Sequence, residues 1–254
     1  MREQIIDALT EIEENSDIHI LSAREMGSRL IGAEHADSDW DIMFIYAFDE
    51  AWKYPANGYS KKSKDFEDGE MDFHGWNLDK FADHMKDSNP QAMEFLAAEP
   101  YMEENREIWR EIEKDAFENF NHMALYYHYI SLAKSNYTKY IENGNDCTQG
   151  RQFYITRALA TAQHIRRAAE FPPMRISHLA NSGHIDEDLG DLLIELGNEK
   201  RSGRGDIEHP DIIGPYYDAE SAIEIEPTDE RTNSPDPELT NKLFKAEYGE
   251  SQDL

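Results

Sequence analysis

Apolar positions near the start of the chain recur at helical spacing. Ile5, Ile6, Leu9 and Ile12 fall on one side of a 3.6-residue repeat, which predicts an amphipathic helix over 3–14. A β-prone run from Ile18 to Leu21 follows, then a turn carrying Gly27, Ser28 and Gly32. Residues 40–48, WDIMFIYAF, are apolar and aromatic-rich, the pattern of a buried strand. The stretch 53–70, rich in Lys, Asp, Ser and Gly, predicts an exposed loop. Met71 to Gly75 predicts another short strand. Asn77 is placed to cap a helix beginning at Leu78, and Pro90 suits the first turn of the next.

Farther along, the period changes. Segments 103–116, 119–142 and 149–169 carry helical periodicity, with breaks at Gly144 and the Pro172-Pro173 pair, and shorter helices are predicted at 175–182 and 186–200. The expected organisation is α/β (α+β): a mixed-sheet domain over 1–102, a mostly helical domain over 103–217, and an acidic tail over 218–254. The tail holds eleven acids and three bases, with room for a short helix at 238–247. That composition predicts a flexible segment that adds little to the core.

Composition narrows the function classes. The chain has 254 residues, with 53 Asp+Glu against 25 Lys+Arg for a net charge of −28, yet 39% are hydrophobic, enough for a sizeable core. Such acidity argues against a broad duplex-binding face, which needs basic residues on phosphates. It matches instead a halophilic surface, kept soluble in concentrated salt. No apolar run reaches a membrane span, so no membrane partner is expected, and the N-terminus lacks a signal-peptide pattern. The single cysteine, Cys147, excludes an internal disulfide and a cysteine-clustered metal site. The expected setting is a reducing cytoplasm.

Gly27-Ser28, ten residues, then Asp39-Trp40-Asp41-Ile42 is the stretch that carries chemistry. On a strand, Asp39 and Asp41 share one face while Trp40 and Ile42 turn inward. Two adjacent carboxylates repel unless a cation is shared, and hard oxygen ligands suit Mg²⁺ or Mn²⁺. Glycine lets backbone approach a phosphate, to which Ser28 and the following amides can donate. A phosphate cradle facing paired carboxylates is the requirement of nucleotidyl transfer from an NTP. A third metal carboxylate is expected from the MDFHGW strand: Asp72, with Glu70 on the same face as the alternative. Asp37, before the strand, and Asp49 and Glu50, after it, read as surface residues. The ten histidines form no metal-ligand motif. Tyr126, Tyr127, Tyr129 and the Phe153-Tyr154 pair read as helix core rather than base-stacking platforms. Arg157, Arg166, Arg167 and Lys139 read as ordinary salt-bridge partners, and Gly203-Arg204-Gly205 lacks the strand-turn-helix context of a nucleotide fingerprint.

Gly-Ser followed by Asp-x-Asp resembles the signature of the DNA polymerase β nucleotidyltransferase superfamily. The blocks GSRLIG, DSDWDIMFIY, DFHGWNLDKF and NPQAMEFLAAEPY resemble one branch of it, the RNA-repair-pathway polymerase-β-like proteins, and FYITRALATA resembles that family's helical half. The resemblance runs over residues 18–200. It implies metal-binding catalytic roles for Asp39, Asp41 and Asp72, phosphate binding by Gly27 and Ser28, and a triphosphate contact for Arg29. Trp40 and Asn77 stand where the family commonly has Tyr and Asp. The activity implied is transfer of a nucleoside monophosphate from an NTP to an acceptor hydroxyl, with an RNA end as acceptor. The alternatives are a protein or small-molecule acceptor, and a non-catalytic nucleotide sensor that kept the fold.

Overall fold

A computed structural model describes residues 1–49, 63–144, 146–224 and 233–249. It is an α+β structure of two compact units, one formed by 1–27, 39–118 and 234–254, the other by 28–38 and 119–233. Of the loop expected at 53–70, residues 50–62 lie outside the described residues, as do 225–232 and 250–254 of the acidic tail.

The first unit is built on a five-stranded mixed sheet. Its strands are β1 (Ile18–Glu25), β2 (Trp40–Phe48), β3 (Ser63–Asp68), β4 (Met71–Asn77) and β5 (Pro100–Glu103), in the order β3-β4-β2-β1-β5. Only β2 and β4 pair in parallel; the other neighbours are antiparallel. Helix α1 (Arg2–Ser16) lays Ile5, Leu9 and Ile12 on one face, against Ile42, Phe44, Tyr46 and Phe73. Gly75 leaves space there for the Phe44 ring, which a Cβ would overlap. The strand at 63–68 corrects the loop expected there. Its alternation is carried by one apolar residue, Phe66, packed against the core, so the local pattern resembled a loop and pairing with β4 decided the outcome.

The other face is held by helices α3 (Leu78–Lys86), α4 (Pro90–Ala97) and α5 (Arg106–Asn119) and by one buried cation. Asn77 caps α3 by accepting from Lys80 N at 2.9 Å, and Pro90 occupies the first turn of α4. Arg24 of β1, 1% exposed, donates to the carbonyls of Leu96 (2.8 Å) and Ala98 (3.1 Å), where α4 runs out of backbone donors. It also pairs with Glu103 of β5 and Glu113 of α5, and lies over the rings of Phe95 and Trp109. Burial pushes the Glu103 carboxyl above its ordinary range, with Arg24 pulling the other way.

The acidic tail also differs from expectation. Helix α11 (Pro237–Tyr248) docks on the first unit, against α3. Leu243 is buried, Asp236 N donates to Asp115 at 2.7 Å, Lys242 pairs with Glu111, and the Tyr248 hydroxyl donates to the Phe48 carbonyl. Averaged composition hid an apolar pair, Leu239 and Leu243, at i, i+4 spacing. His19 of β1 adds an ionic contact, with Nδ1 2.9 Å from Glu247 and Nε2 3.1 Å from Glu104 and 3.8 Å from Glu13.

The second unit centres on α7 (Gln149–Ala168), buried on nearly every side from Gln152 to Ile165, as expected of a helix wrapped by others. It packs against α6 (His122–Tyr137) and α9 (Glu187–Arg201), with α8 (Ile176–Ala180) on α9 and α10 (Gly214–Ser221) against α6 and α7. A π-helical turn, Thr138–Glu142, extends α6. Helix α2 (Gly27–Ile31) opens the segment 28–38. Two polar side chains of α7 tie it to its surroundings: Gln152 donates to Pro210 O (2.9 Å), and Arg166 grips Glu220 of α10 through two bonds of 2.9 and 3.0 Å. Arg167 pairs with Asp186. Among the described residues, no helix is long and apolar enough to cross a membrane.

Two outcomes follow from these contacts. Replacing Arg24 with Ala leaves buried Glu103 with only the more distant Arg106, at 4.0 Å, so urea unfolding should show a loss of roughly 3–5 kcal/mol. A loss below about 1 kcal/mol would remove Arg24 from the framework. The second concerns α11. Burial lowers the pKa of His19, but the hydrogen bond and charge of Glu247, with Glu104, outweigh it and leave the imidazole above its ordinary value. For a raised histidine, the stabilisation is complete below the unfolded value near ~6.5 and is lost as pH rises through the folded one. Hydrogen-exchange protection of α11, corrected for intrinsic rates, should therefore fall as pH rises from below ~6.5 through the raised value of the folded state. His19→Gln should flatten that dependence, and Leu243→Ala should cost about 2–5 kcal/mol at either pH.

Candidate active site

Strand β1 ends at Glu25, and the chain turns sharply beside β2. Met26 N donates to Asp41 O at 2.7 Å, and Gly27 follows with φ of +62°. A Cβ on Gly27 would overlap the Asp41 carboxylate and lie 2.9 Å from Asp41 Cβ. Glycine is required here twice: for the left-handed backbone and for the close approach of a carboxylate. This is a cradle that any side chain would fill.

Asp41 is the second residue of β2, half-buried, and its register partner across the parallel pair is Asp72 of β4. Register partners on neighbouring strands point to the same face, so both carboxylates lie on the face opposite α1. Asp39 immediately precedes β2 and is exposed, as is Asp72, while Trp40 and Ile42 turn toward the α1 core. Glu70, the alternative third acid, sits in the turn before β4 and is exposed; its carbonyl accepts from Trp40 N at 2.8 Å. Asp37 and Asp49 are exposed; Glu50 lies outside the described residues.

The structure adds acids that the sequence did not single out. Glu67 of β3 is the register partner of Asp72, so Asp41, Asp72 and Glu67 form a row across three strands. One step along the same face, His74 pairs through Nδ1 with Asp65 of β3, while its Nε2 lies 2.7 Å from Trp76 Nε1. Indole N–H is only a donor, so His74 Nε2 accepts and its Nδ1–H is directed at Asp65. The Lys80 ammonium sits 4.2 Å from the centroid of the Trp76 ring and donates to Ser63 Oγ at 2.8 Å; burial lowers its pKa, against the pull of Asp65. Glu67 and Asp65 were missed because they lie in the stretch read as a loop.

The residues after Gly27 belong to the second unit. Ser28 is buried, with its carbonyl accepting from Ala33 N at 2.8 Å; Arg29 Nη2 donates to Ser38 O at 2.8 Å and ties the two ends of 28–38. Gly32, at φ of +71°, completes the turn.

In chemistry, Asp39, Asp41 and Asp72 are hard oxygen donors of the kind Mg²⁺ or Mn²⁺ takes, and the absence of a side chain on Gly27 makes room for the Asp41 carboxylate. By ligand chemistry alone these carboxylates suit a divalent cation. Among the described residues, no three His, Cys, Asp or Glu side chains are gathered tightly enough to hold a metal ion. What the fold brings together is Asp41 with Asp72 by register and Asp41 with Gly27 by contact.

A mixed sheet with registered acids at strand starts, beside a glycine-opened turn, is an α+β framework. The chain matches the RNA repair pathway DNA polymerase beta family (RlaP) over residues 1–244 and belongs to that family. Membership implies a polymerase-β-like nucleotidyltransferase role in RNA repair. The chain is also similar to the uncharacterized protein YcgL of Bacillus subtilis (strain 168), 30% identical over 222 residues that cover 87% of this chain and 85% of that relative.

The cradle can be measured against a built-in control. Gly69 has φ of +65° and nothing within 4 Å of the point a Cβ would occupy, whereas Gly27 has the same backbone and Asp41 against it. Gly69→Ala should cost the left-handed penalty alone, roughly 1–2 kcal/mol. Gly27→Ala should cost clearly more in denaturant unfolding, and the excess should disappear in an Asp41→Ala background. Equal costs for the two glycines would remove the steric role of Asp41.

Proposed function

We propose that this protein transfers a nucleoside monophosphate from an NTP to an acceptor hydroxyl, with an RNA end as the acceptor, and releases pyrophosphate. The observation that carries the reading is the in-register Asp41–Asp72 pair beside the Gly27 turn, in a chain of the RNA-repair polymerase-β family. Asp39, Asp41 and Asp72 would hold Mg²⁺ or Mn²⁺. When bound, the cation neutralises triphosphate charge and makes an acceptor hydroxyl more acidic. The remaining work falls to the chain. Gly27 admits phosphate close to the backbone, Ser28 and the amides after it donate to phosphate oxygens, and Arg29 offers a charge-assisted donor to the triphosphate. Positioning and charge stabilisation of this kind account for most of phosphoryl-group catalysis. In this reading the α/β region with the acids and the helical region that follows serve as the nucleotidyltransferase and helical domains of a cytoplasmic enzyme.

Replacing Asp41 with Asn preserves size and removes one negative donor. Folding should survive, with apo stability equal or slightly raised by relief of carboxylate repulsion, while pyrophosphate release collapses. Ser28→Ala should act more mildly, losing one hydrogen bond to a charged group, roughly 1.5–3 kcal/mol of transition-state binding. Labelled NTPs with RNA, DNA, protein and small-molecule acceptors in high salt supply the assay. A folded Asp41→Asn protein with normal turnover would falsify the mechanism. Release with only a protein or small-molecule acceptor moves the acceptor assignment, and NTP binding without release under any condition identifies a sensor.

A further inference from the structure

The second unit contains a cavity of about 390 Å³ whose walls come from three places: the segment after the Gly-Ser-Arg turn, the first turns of α7, and the loop after α9. Its polar and aromatic lining is His35, Asp37, Arg151, Tyr154, Lys200 and Asp206. That volume lies within the range of small-ligand sites.

Four observations give the cavity its chemistry. Tyr154 departs from the core role its helix predicts. Its neighbour Phe153 is fully buried, but the Tyr154 ring is 40% exposed. The Lys200 ammonium lies 5.7 Å from that ring's centroid and donates to Ala33 O at 3.3 Å. Ala33 N in turn donates to Ser28 O, so the cation is tethered to the segment that carries Ser28 and Arg29. Arg151 is held from two sides, with its guanidinium 4.1 Å from the Tyr140 ring centroid and its Nε donating to Asp146 at 3.2 Å. His35 Nδ1 accepts from Asp37 N at 3.2 Å, which leaves its other ring nitrogen as the proton-bearing one when neutral.

The loop is kept against α7 by backbone. Gly150 N donates to Gly205 O at 2.7 Å, and a Cβ on Gly150 would come within 3.0 Å of that oxygen. This gives Gly205, in a Gly-Arg-Gly stretch that matches no nucleotide fingerprint, a packing role in one wall. A partly exposed aromatic ring, two fixed cations and two carboxylates in one concave site match the parts of a nucleotide: base, phosphate, and amino or hydroxyl donors.

We propose that this cavity binds one nucleotide residue, with its base stacked on Tyr154, its phosphate facing Lys200 and Arg151, and its amino or hydroxyl groups donating to Asp37 or Asp206. Nucleotide binding in this cavity does not depend on the nucleotidyl-transfer reading. The shared chemistry has two sources, the terminal residue of a single strand or a free nucleotide.

The test uses the full-length protein without NTP or divalent metal, with a fluorescein-labelled single-stranded hexaribonucleotide followed by anisotropy. Wild type should bind, and Tyr154→Ala should weaken binding by about tenfold, the effect of losing a base–aromatic stack. Tyr154→Phe, which keeps the ring, should stay within about twofold. Lys200→Ala should lower the slope of log affinity against log salt by roughly one. Competition by a nucleoside monophosphate at equal strength assigns a free-nucleotide site, and competition only by oligomers assigns a strand end. No binding by wild type, or identical affinities for wild type and a folded Tyr154→Ala protein, overturns the proposal. Because pyrophosphate release is measured separately, loss of one reading leaves the other standing.

Discussion

The buried Arg24 guanidinium is the interaction on which the first unit depends. A single side chain on β1 satisfies carbonyls at the end of α4, pairs with carboxylates on β5 and α5, and packs over Phe95 and Trp109. Each partner solves a separate problem. The helix end would otherwise bury orphan acceptors, the two glutamates would lack their counter-charge, and the cation itself could not leave water alone. The arrangement ties β1 to the elements on one face of the sheet, while Ile18 and Ile20 tie it to α1 on the other. A strand clamped from both sides can deliver its last residues to a defined place.

That place matters because Gly27 lies three residues after Arg24. With β1 fixed and Glu25 in register with Ile42, the turn must pass close to Asp41, and only glycine has the room. Parallel pairing of β2 with β4 then sets Asp72 against Asp41, and antiparallel pairing of β3 sets Glu67 against Asp72. The acids are therefore aligned by strand register, a property of the backbone, and not by attraction among themselves.

How much of this was legible in the sequence varies with how locally each feature is encoded. Strand β2 and helices α1 and α7 carry their own periodicity, so the eight apolar or aromatic residues of WDIMFIYAF sufficed to mark the centre of the sheet. Asn77 and Pro90 signalled helix starts because capping is local chemistry. Strand β3 was not legible, since SKDFED contains one apolar residue and becomes a strand by pairing with β4. The four-residue β5 likewise owes its existence to β1. A short helix at 238–247 was legible, but its docking was hidden by the composition of the tail around it, although Leu239 and Leu243 carry the stripe. At the candidate site, Gly27, Asp39, Asp41 and Asp72 were readable as a motif, while the register between Asp41 and Asp72 and the neighbours Glu67 and Asp65 needed the sheet.

The charge balance gives the distribution of cations a particular weight. With 25 basic against 53 acidic residues, a cation at any one position has many possible acidic partners. Several are committed inside the units: Arg24 to Glu103 and Glu113, Arg166 to Glu220, Arg167 to Asp186, and Lys242 to Glu111. Such pairs hold elements together and contribute little field to an approaching polyanion. Lys200 and Arg151 line the cavity of the second unit, where Lys200 donates to a carbonyl and Arg151 rests on an aromatic ring and pairs with Asp146. A chain this acidic cannot draw a nucleic acid across a broad surface by long-range attraction, least of all in concentrated salt, where the Debye length shrinks to a few ångströms. In the proposed reading, recognition of a nucleotide would rest on short-range contacts within a concave site, stacking and hydrogen bonds above all, and Tyr154 is an aromatic side chain set in such a site.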